Sequence, residues 1–307
     1  MTAHKILLLG ANGQLGYQLG NVLKKLGHVQ ALTRAEADFA NPAMLRAALL
    51  KFAETEVPTV VVNAAAYTAV DKAETESELA HAVNSESSAV LAELAHRWGA
   101  MLVHYSTDYV FDGSGVQPWR ESDDAHPLSV YGASKLRGEA AIAQRCLKHL
   151  ILRTSWVVGP HGGNFLKTML RLAAERETLR VVADQIGAPT STTLLADVTV
   201  ALIAAMEKAE ASDARWGVYH VAAGGETSWH AYAQHVIAGA AARGAVLKAD
   251  AASVFPIATV EYPLPAPRPL NSRMDTQKIQ RTFHVKLPTW QVGVDAILDH
   301  LFEKKTS

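Results

Sequence analysis

The stretch KILLLGANGQLG, residues 5–16, decides how this chain is read. The apolar run Lys5–Leu9 is too short for a buried helix and stops at Gly10, which marks a strand ending in a turn. Gly10, Gly13 and Gly16 then recur every third residue, and Gln14–Leu26 continues with helical periodicity. Glycines between a strand and a helix let the backbone approach a pyrophosphate and let the helix pack close to the strand. The first turn of the helix leaves unpaired N–H groups for the phosphates. Gly10, Asn12, Gly13, Gln14, Leu15 and Gly16 are therefore candidate cofactor-binding positions. The spacing is GxxGxxG and not GxGxxG, and a tight turn without a ligand is the alternative reading.

Outward from this turn, short apolar runs alternate with amphipathic stretches. Strands are expected at Val29–Thr33, Val60–Asn63, Met101–Tyr105 and Leu150–Thr154, and helices at Met44–Ala53, Glu76–Trp98 and Tyr131–Cys146. That alternation predicts an α/β fold, a Rossmann-like doubly wound parallel sheet with helices on both faces. Ligands of such sheets bind beyond the carboxyl ends of the strands. After about residue 157 the pattern loosens, with helices expected at Asn164–Arg176, Leu194–Glu210 and Ser228–Ala241. Pro256, Pro263, Pro265, Pro267 and Pro269 mark a loop without regular ladders, suited to lining a pocket.

Composition bounds the function. Of 307 residues, 49% are hydrophobic, enough for a large core in one domain or two intimate lobes. A formal net charge of −1 gives no footprint for nucleic acid or an anionic membrane. No long window is free of polar groups, so no spanning helix is expected, and the N-terminus reads as a strand and not as a signal peptide. A lone cysteine, Cys146, fits a reducing cytoplasm. Thirteen histidines are scattered without an HExxH pattern, so no metal site is expected. Neither a GxSxG nucleophile elbow nor a P-loop is present.

The end of the second strand reads Leu32-Thr33-Arg34, and an arginine there suits the 2′-phosphate of NADPH. A solvated surface arginine is the other reading, so NADH stays open. Asp38 is placed at the adenine edge, with Phe39 beside it among the cofactor-binding positions. Asn63, Ala64 and Ala65 end the third strand, where small side chains leave room beside a cofactor.

Tyr131 and Lys135 lie four apart, on one helix face and one turn apart. A free phenol titrates near pH ~10, too high for a general acid–base. The neighbouring ammonium is expected to lower that pKa, so that the pair exchanges a proton with an alkoxide. Upstream, Ser106 and Thr107 end the fourth strand, where a hydroxyl can hold and polarise a carbonyl oxygen. Alone, YxxxK is common by chance. The glycine turn, the strand-end hydroxyl and the tyrosine–lysine pair fall in the order that a hydride-transfer site needs.

At these residues the chain resembles the extended short-chain dehydrogenase/reductase family. The segments that carry the resemblance are GANGQLG (10–16), NAAAYTAVDKAE (63–74), HYSTDYVFDG (104–113), YGASKLRGE (131–139), RTSWVVG (153–159), DQIGAPT (184–190) and RPLNSRMDT (268–276). The resemblance implies a dinucleotide-binding domain over 1–157 with a return segment near 190–222. A substrate-binding lobe would occupy 158–189 and 223–307. It implies reduction of the C4 ketone of dTDP-4-dehydro-β-L-rhamnose, a small nucleotide-sugar partner, by NADPH or NADH. In that reaction Tyr131 protonates the new oxyanion, Lys135 lowers the phenol pKa and holds the nicotinamide ribose, and Thr107 bonds the ketone oxygen beside Ser106 and Asp108. Trp156 would pack on the sugar ring. Asn164, Arg268 and Asn271 would face the diphosphate or thymidine, as a guanidinium fork suits phosphate.

Some members of the family dimerise through Mg²⁺ held by glutamates. Gln18 and Thr193 stand at the matching positions, and neither is a good hard-cation ligand. No Mg²⁺ bridge is therefore expected, and a monomer or weak homodimer is. Two rival readings are kept. An epimerase or dehydratase of the same fold is one, since dehydratases also carry an acid after the threonine, as Asp108 does. They follow it with glutamate, where Tyr109 stands here. A non-catalytic regulatory subunit is the other, and it has no need of Thr107, Tyr131 and Lys135 together.

Overall fold

A computed structural model describes residues 3–303. The chain begins β1 (His4–Leu9), α1 (Gln14–Val22), β2 (Gly27–Leu32), α2 (Pro42–Thr55), β3 (Val60–Asn63). It continues with α3 (Val70–Ala73), α4 (Ser77–His81), α5 (Ser87–Trp98), β4 (Met101–Thr107), α6 (Val130–Arg145) and β5 (His149–Thr154). Next come β6 (Val157–Val158), α7 (Phe165–Glu175), β7 (Leu179–Val182), β8 (Ile186–Gly187), β9 (Thr190–Ser191) and α8 (Thr192–Ala205). Last are β10 (Gly217–His220), β11 (Thr227–Ser228), α9 (Trp229–Ala242), β12 (Val254–Ile257), α10 (Gln277–Phe283) and α11 (Trp290–Phe302).

Six strands pair in parallel in the order β10-β5-β4-β3-β1-β2. Strand alternation splits their side chains between two buried layers. Ile6, Leu8, Val60, Val62, Val103 and Leu152 meet Leu19 of α1 and Leu195 and Leu202 of α8. Leu7, Leu9, Val61, Leu102 and Ile151 meet Leu45 of α2, Leu91 of α5 and Ile142 of α6. From β1 the chain passes outward to β2 on one side, then returns through β3 to β4, β5 and β10 on the other. The strand order reverses between β1 and β3, and the crevice beyond their carboxyl ends opens there. A third core, built by α7, α9 and α11 with β7, closes the other end of the molecule around Tyr232, Val236 and Leu298. Among the described residues, no helix is long and apolar enough to cross a membrane.

Three elements depart from the periodicity. The stretch expected as one helix over Glu76–Trp98 is broken by a π turn at Ala82–Glu86. The wide turn lets the Asn84 side chain accept from Tyr67 N (2.9 Å) and donate to Ser134 Oγ (2.9 Å), while its carbonyl accepts from Ser88 Oγ (2.8 Å). Gly138 of α6 packs against that carbonyl, where a Cβ would lie 2.2 Å away. The segment after Gln14 leaves the α-helix at Val22 and finishes as a 3-10 turn, Leu23–Lys25. The proline-rich segment is not loop throughout. Val254–Ile257 pairs in parallel with β7, with Pro256 opposite Val181. That sheet has only two strands, so one edge of β12 needs no donor and the proline is tolerated.

Gly10 adopts a φ of +76°, which side chains rarely adopt, and a Cβ there would meet Ala65 N at 2.5 Å. At Gly16 a Cβ would lie 2.0 Å from the Gly10 carbonyl oxygen, whereas at Gly20 the nearest atom is a leucine methyl at 3.7 Å. Gly16→Ala is therefore expected to destabilise the fold by about 1–3 kcal/mol or more. Gly20→Ala, in the same helix, is expected to stabilise by about 0.5–1 kcal/mol. Urea unfolding of both variants checks this, and equal effects at the two positions would contradict the close approach.

Candidate active site

β1 and β3 run side by side, with Leu9 opposite Asn63, so the glycine turn and the Asn63–Ala65 segment meet at the crevice. The Ala64 N–H donates to Leu9 O (3.0 Å), and Asn63 Oδ1 accepts from Ala65 N (3.0 Å). Gly13 caps α1 without any side-chain bond, so the first N–H groups of the nine-residue helix lack a side-chain acceptor. Backbone that no Cβ may enter, together with a bare helix start, fits a dinucleotide pyrophosphate. Asn12 and Gly13 are exposed, whereas Gly16 is buried against the turn.

Arg34 and Asp38 lie at the exposed end of β2 and face each other at 3.4 Å, while Phe39 is buried in the core beneath. Arg34 is thus free to reach a ligand, but its charge is already matched locally by Asp38.

Ser129 caps α6 by accepting from Gly132 N (3.2 Å), which starts the helix one residue before Tyr131. The Tyr131 ring meets the Tyr109 ring edge-on, 5.5 Å between centroids. Lys135 reaches into the sheet, where Nζ donates to Tyr105 O (2.6 Å) and lies 3.1 Å from His104 Nε2. Burial draws the Lys135 pKa down to about 8, against a smaller opposite pull from Glu139. The expected acidification of the phenol does not hold in this state. Burial pushes Tyr131 up to about 12, and the Thr107 side chain only partly counters it. The ammonium is directed at β4 and not at the phenol, so desolvation decides the sign.

Thr107 Oγ1 donates to Asp108 Oδ1 (3.0 Å) and accepts from Tyr109 N (3.2 Å). Burial raises the Asp108 carboxyl to about 6, with Ser272 and Thr107 acting against it. Ser106 Oγ is buried with no partner. A buried pair, Glu139 with Arg153 (2.6 Å), fastens α6 to β5.

Beyond Tyr109 opens a cavity of about 550 Å³ between α7, β7, Trp229 and the proline-rich segment, with Arg268 at its wall. Trp156 holds a left-handed backbone, φ +48°, and its ring stacks on Trp229 at 3.7 Å. Such strain in a non-glycine residue persists where packing imposes it, often at functional sites. Arg268 donates to Asp71 Oδ2 (2.7 Å). Asn164 caps α7 at Lys167 N (3.1 Å) and donates to Gln14 Oε1 (3.0 Å), joining the glycine turn to the third core. Asn271 is buried and donates to Gln117 O (2.8 Å) and Ser114 O (3.2 Å). Of the expected substrate positions, Arg268 lines the cavity itself and Trp156 packs on its wall. Asn164 and Asn271 are engaged in holding loops. Sequence reading overlooked Tyr109, Trp229, Gln185 and Asp71. Trp229 Nε1 donates to Gln185 Oε1 (3.1 Å), and Gln185 lies within the DQIGAPT motif, the one signal that pointed toward it.

A parallel sheet with a glycine turn at its switch point, a strand-end threonine and a tyrosine–lysine helix define a short-chain dehydrogenase/reductase-like protein of the extended type. The chain belongs to the family described as RmlD substrate binding domain, whose model matches residues 4–303. It is 47% identical over 306 residues to the dTDP-4-dehydrorhamnose reductase of Salmonella typhimurium, covering 98% of this chain and 99% of that one. The dTDP-4-dehydrorhamnose reductase structure from Clostridium acetobutylicum superposes with a TM-score of 0.87 at 35% identity, covering 97% of this chain and 99% of that one. The structure of the Bacillus anthracis dTDP-4-dehydrorhamnose reductase, solved in complex with NADP, gives 0.87 at 32% identity and covers 97% and 100%. Among the described residues, no group of three or more His, Cys, Asp or Glu gathers as a metal site.

Removing one partner of a buried ion pair leaves the other charge uncompensated. Glu139→Gln is therefore expected to destabilise the protein by about 3–5 kcal/mol, read by denaturant unfolding. A loss within about 0.5 kcal/mol, typical of surface substitutions, would show that the pair does not hold α6 to the sheet.

Proposed function

We propose that this chain reduces the C4 ketone of dTDP-4-dehydro-β-L-rhamnose to dTDP-β-L-rhamnose at the expense of NADPH, with NADH as the lesser donor. The observation that carries the reading is the placement of buried Tyr131 beside Thr107, one ring away from a cavity with an arginine in its wall. The near full-length identity to reductases of that name supports the substrate assignment.

Gly10, Asn12, Gly13, Gln14, Leu15 and Gly16 would hold the pyrophosphate, and Arg34 and Asp38 the adenosine end, whereas Phe39, expected among these positions, packs in the core beneath. Asn63, Ala64 and Ala65 would line the far side, and Lys135 the nicotinamide ribose. The coenzyme supplies the hydride when bound. Thr107 and Ser106 orient the ketone oxygen, and Tyr131 Oη passes its proton to the alkoxide that develops there. A phenol held well above its usual pKa is in the acid form at neutral pH, which is the form that a reduction consumes. Asp108 lies against Thr107, and Trp156 would pack on the sugar. Arg268, set beside the cavity, suits a diphosphate, with Asn164 and Asn271 shaping the loops around it.

We further propose two interleaved lobes, residues 1–157 with a return near 190–222 for the coenzyme, and 158–189 with 223–307 for the sugar nucleotide. A cytoplasmic monomer or weak homodimer, without a Mg²⁺ bridge, completes the reading. Epimerases and dehydratases of this architecture regenerate their coenzyme within the cycle, so net NADPH oxidation separates this reading from theirs.

Mixing the protein with NADPH and dTDP-4-dehydrorhamnose is expected to oxidise one coenzyme per sugar, followed by nicotinamide absorbance. No net oxidation would refute the assignment. Tyr131→Phe is expected to lower kcat by about 10²–10⁴-fold with coenzyme binding nearly unchanged. Arg34→Ala is expected to raise the KM for NADPH about tenfold, equivalent to about 1.4 kcal/mol, while sparing NADH. Equal effects on both coenzymes would remove Arg34 from the 2′-phosphate site.

A further inference from the structure

Pro263, Pro265, Pro267 and Pro269 thin out the backbone donors of the segment beside the cavity, since proline has no N–H. Within Pro265-Ala266-Pro267 the single backbone donor is the Ala266 N–H, and Ala266 is buried. A buried N–H needs a partner. This one donates to Asp71 Oδ1 (3.2 Å), in the first turn of α3 after β3. The other oxygen of the same carboxylate, Oδ2, accepts from Arg268 Nη2 (2.7 Å). One carboxylate therefore holds two points of the segment, 195 and 197 residues away along the chain.

The far end of the segment is clasped separately. Thr259 N donates to Asp184 Oδ1 (2.9 Å), and Thr259 Oγ1 donates to the same oxygen (2.6 Å) while accepting from Gln185 Nε2 (3.1 Å). Between the two clasps, Val260 and Tyr262 are exposed. At the Asp71 end the Arg268 side chain is only 13% exposed. A guanidinium carries five N–H groups. Nη2 gives one to Asp71 and Nη1 gives one to Ala266 O (3.0 Å), which leaves three. Ala266 and Arg268 both line the cavity of about 550 Å³. The pair also lies near Tyr109, the ring that meets Tyr131. Burial raises the Tyr109 pKa most, and the charges of Arg268 and Asp71 act on it in opposite directions.

We propose that Asp71 is a positioning residue for the nucleotide, fixing Arg268 before the ligand arrives so that the three remaining N–H groups form a preset receptor for a diphosphate. The inference deepens the proposed function, from which it takes the nucleotide diphosphate as ligand. A guanidinium already held in place has less freedom to lose when the phosphates bind. The carboxylate is not simply exchanged for them, because its other oxygen satisfies the Ala266 N–H between two prolines. It also matches the charge of a largely buried cation while the cavity is empty. Asp71 acts through Arg268 and touches neither the reacting ketone nor the coenzyme.

The test is calorimetric titration of the full chain with dTDP and with thymidine, neither of which requires turnover. Asp71→Asn keeps one oxygen but sets an amide NH₂ against either the Ala266 N–H or Arg268, both donors, so one of the two bonds is lost. The variant is expected to bind dTDP about tenfold more weakly, within the range shown by coupled neighbours. Thymidine, which lacks phosphates, is expected to bind wild type and variant alike. In an Arg268→Gln background, Asp71→Asn is expected to add nothing further. Unchanged dTDP affinity would overturn the proposal, and tighter binding would make Asp71 a competitor of the phosphates. Equal losses for dTDP and thymidine, or full additivity with Arg268→Gln, would reduce Asp71 to a structural role. A wild type that does not bind dTDP would remove the nucleotide reading itself, and this inference with it. Hydrogen exchange of the wild type needs no variant to fold. The Ala266 amide is expected to exchange at least about tenfold more slowly than that of exposed Leu264. Equal rates would show that the carboxylate does not hold the segment.

Discussion

Lys135 is a cationic side chain taken out of water with no carboxylate in direct contact, and the site is organised around that constraint. Removing an ammonium from water costs several kcal/mol unless hydrogen bonds or loss of the proton compensate it. Here the compensation comes from the sheet, a carbonyl from Tyr105 and the ring of His104. Both belong to β4, so the strand that ends in Thr107 also fixes the lysine behind it. The Glu139 carboxylate is near but is held by Arg153 through three short contacts. It anchors the helix and leaves the lysine without a salt bridge.

The remaining architecture follows from bringing that helix and strand to the switch point. The β1–β3 pairing places backbone at Gly10 against Ala65 with no room for a side chain. The same β3, through Asn63, then touches β4 at His104. The glycine turn and Ala65 cradle proposed for the coenzyme and the helix of Tyr131 and Lys135 are therefore joined by a chain of hydrogen bonds, not merely adjacent. On the other side, Asn164 bridges the glycine turn to α7, and the Arg268–Asp71 pair ties the proline-rich segment to the loop after β3. These cross-links are polar and few, which suits the proposed passage of a nucleotide sugar through the cleft.

Much of this was legible in the sequence, and the reasons are local. The Lys5–Leu9 run, the glycine turn and the YxxxK spacing are decided by residues within one or two turns of each other, so pattern alone finds them. The Val60–Val62 and Met101–Val103 runs are apolar on both faces, as a parallel sheet covered on two sides requires. What pattern does not carry is proximity between distant segments. The π turn at Asn84 exists because its side chain bonds Tyr67 and Ser134, neither of them a helical neighbour. The strand at Val254–Ile257 forms despite Pro256 because β7 offers it a partner. The sign of the Tyr131 shift also depended on the third dimension. An ammonium one turn away lowers a phenol's pKa only if it points there, and burial wins when it does not. Tyr109 and Trp229 enter the site for the same reason, as the rings that happen to face Tyr131 and Trp156.

Titration of Tyr131 at its ζ-carbon, in tyrosine-labelled protein with and without NADP, tests most directly whether the site rests with its phenol protonated. The account predicts a phenol in the free protein that keeps its proton well beyond pH ~10, the usual midpoint for tyrosine. A Tyr131 already ionised near neutrality in the free protein would contradict it.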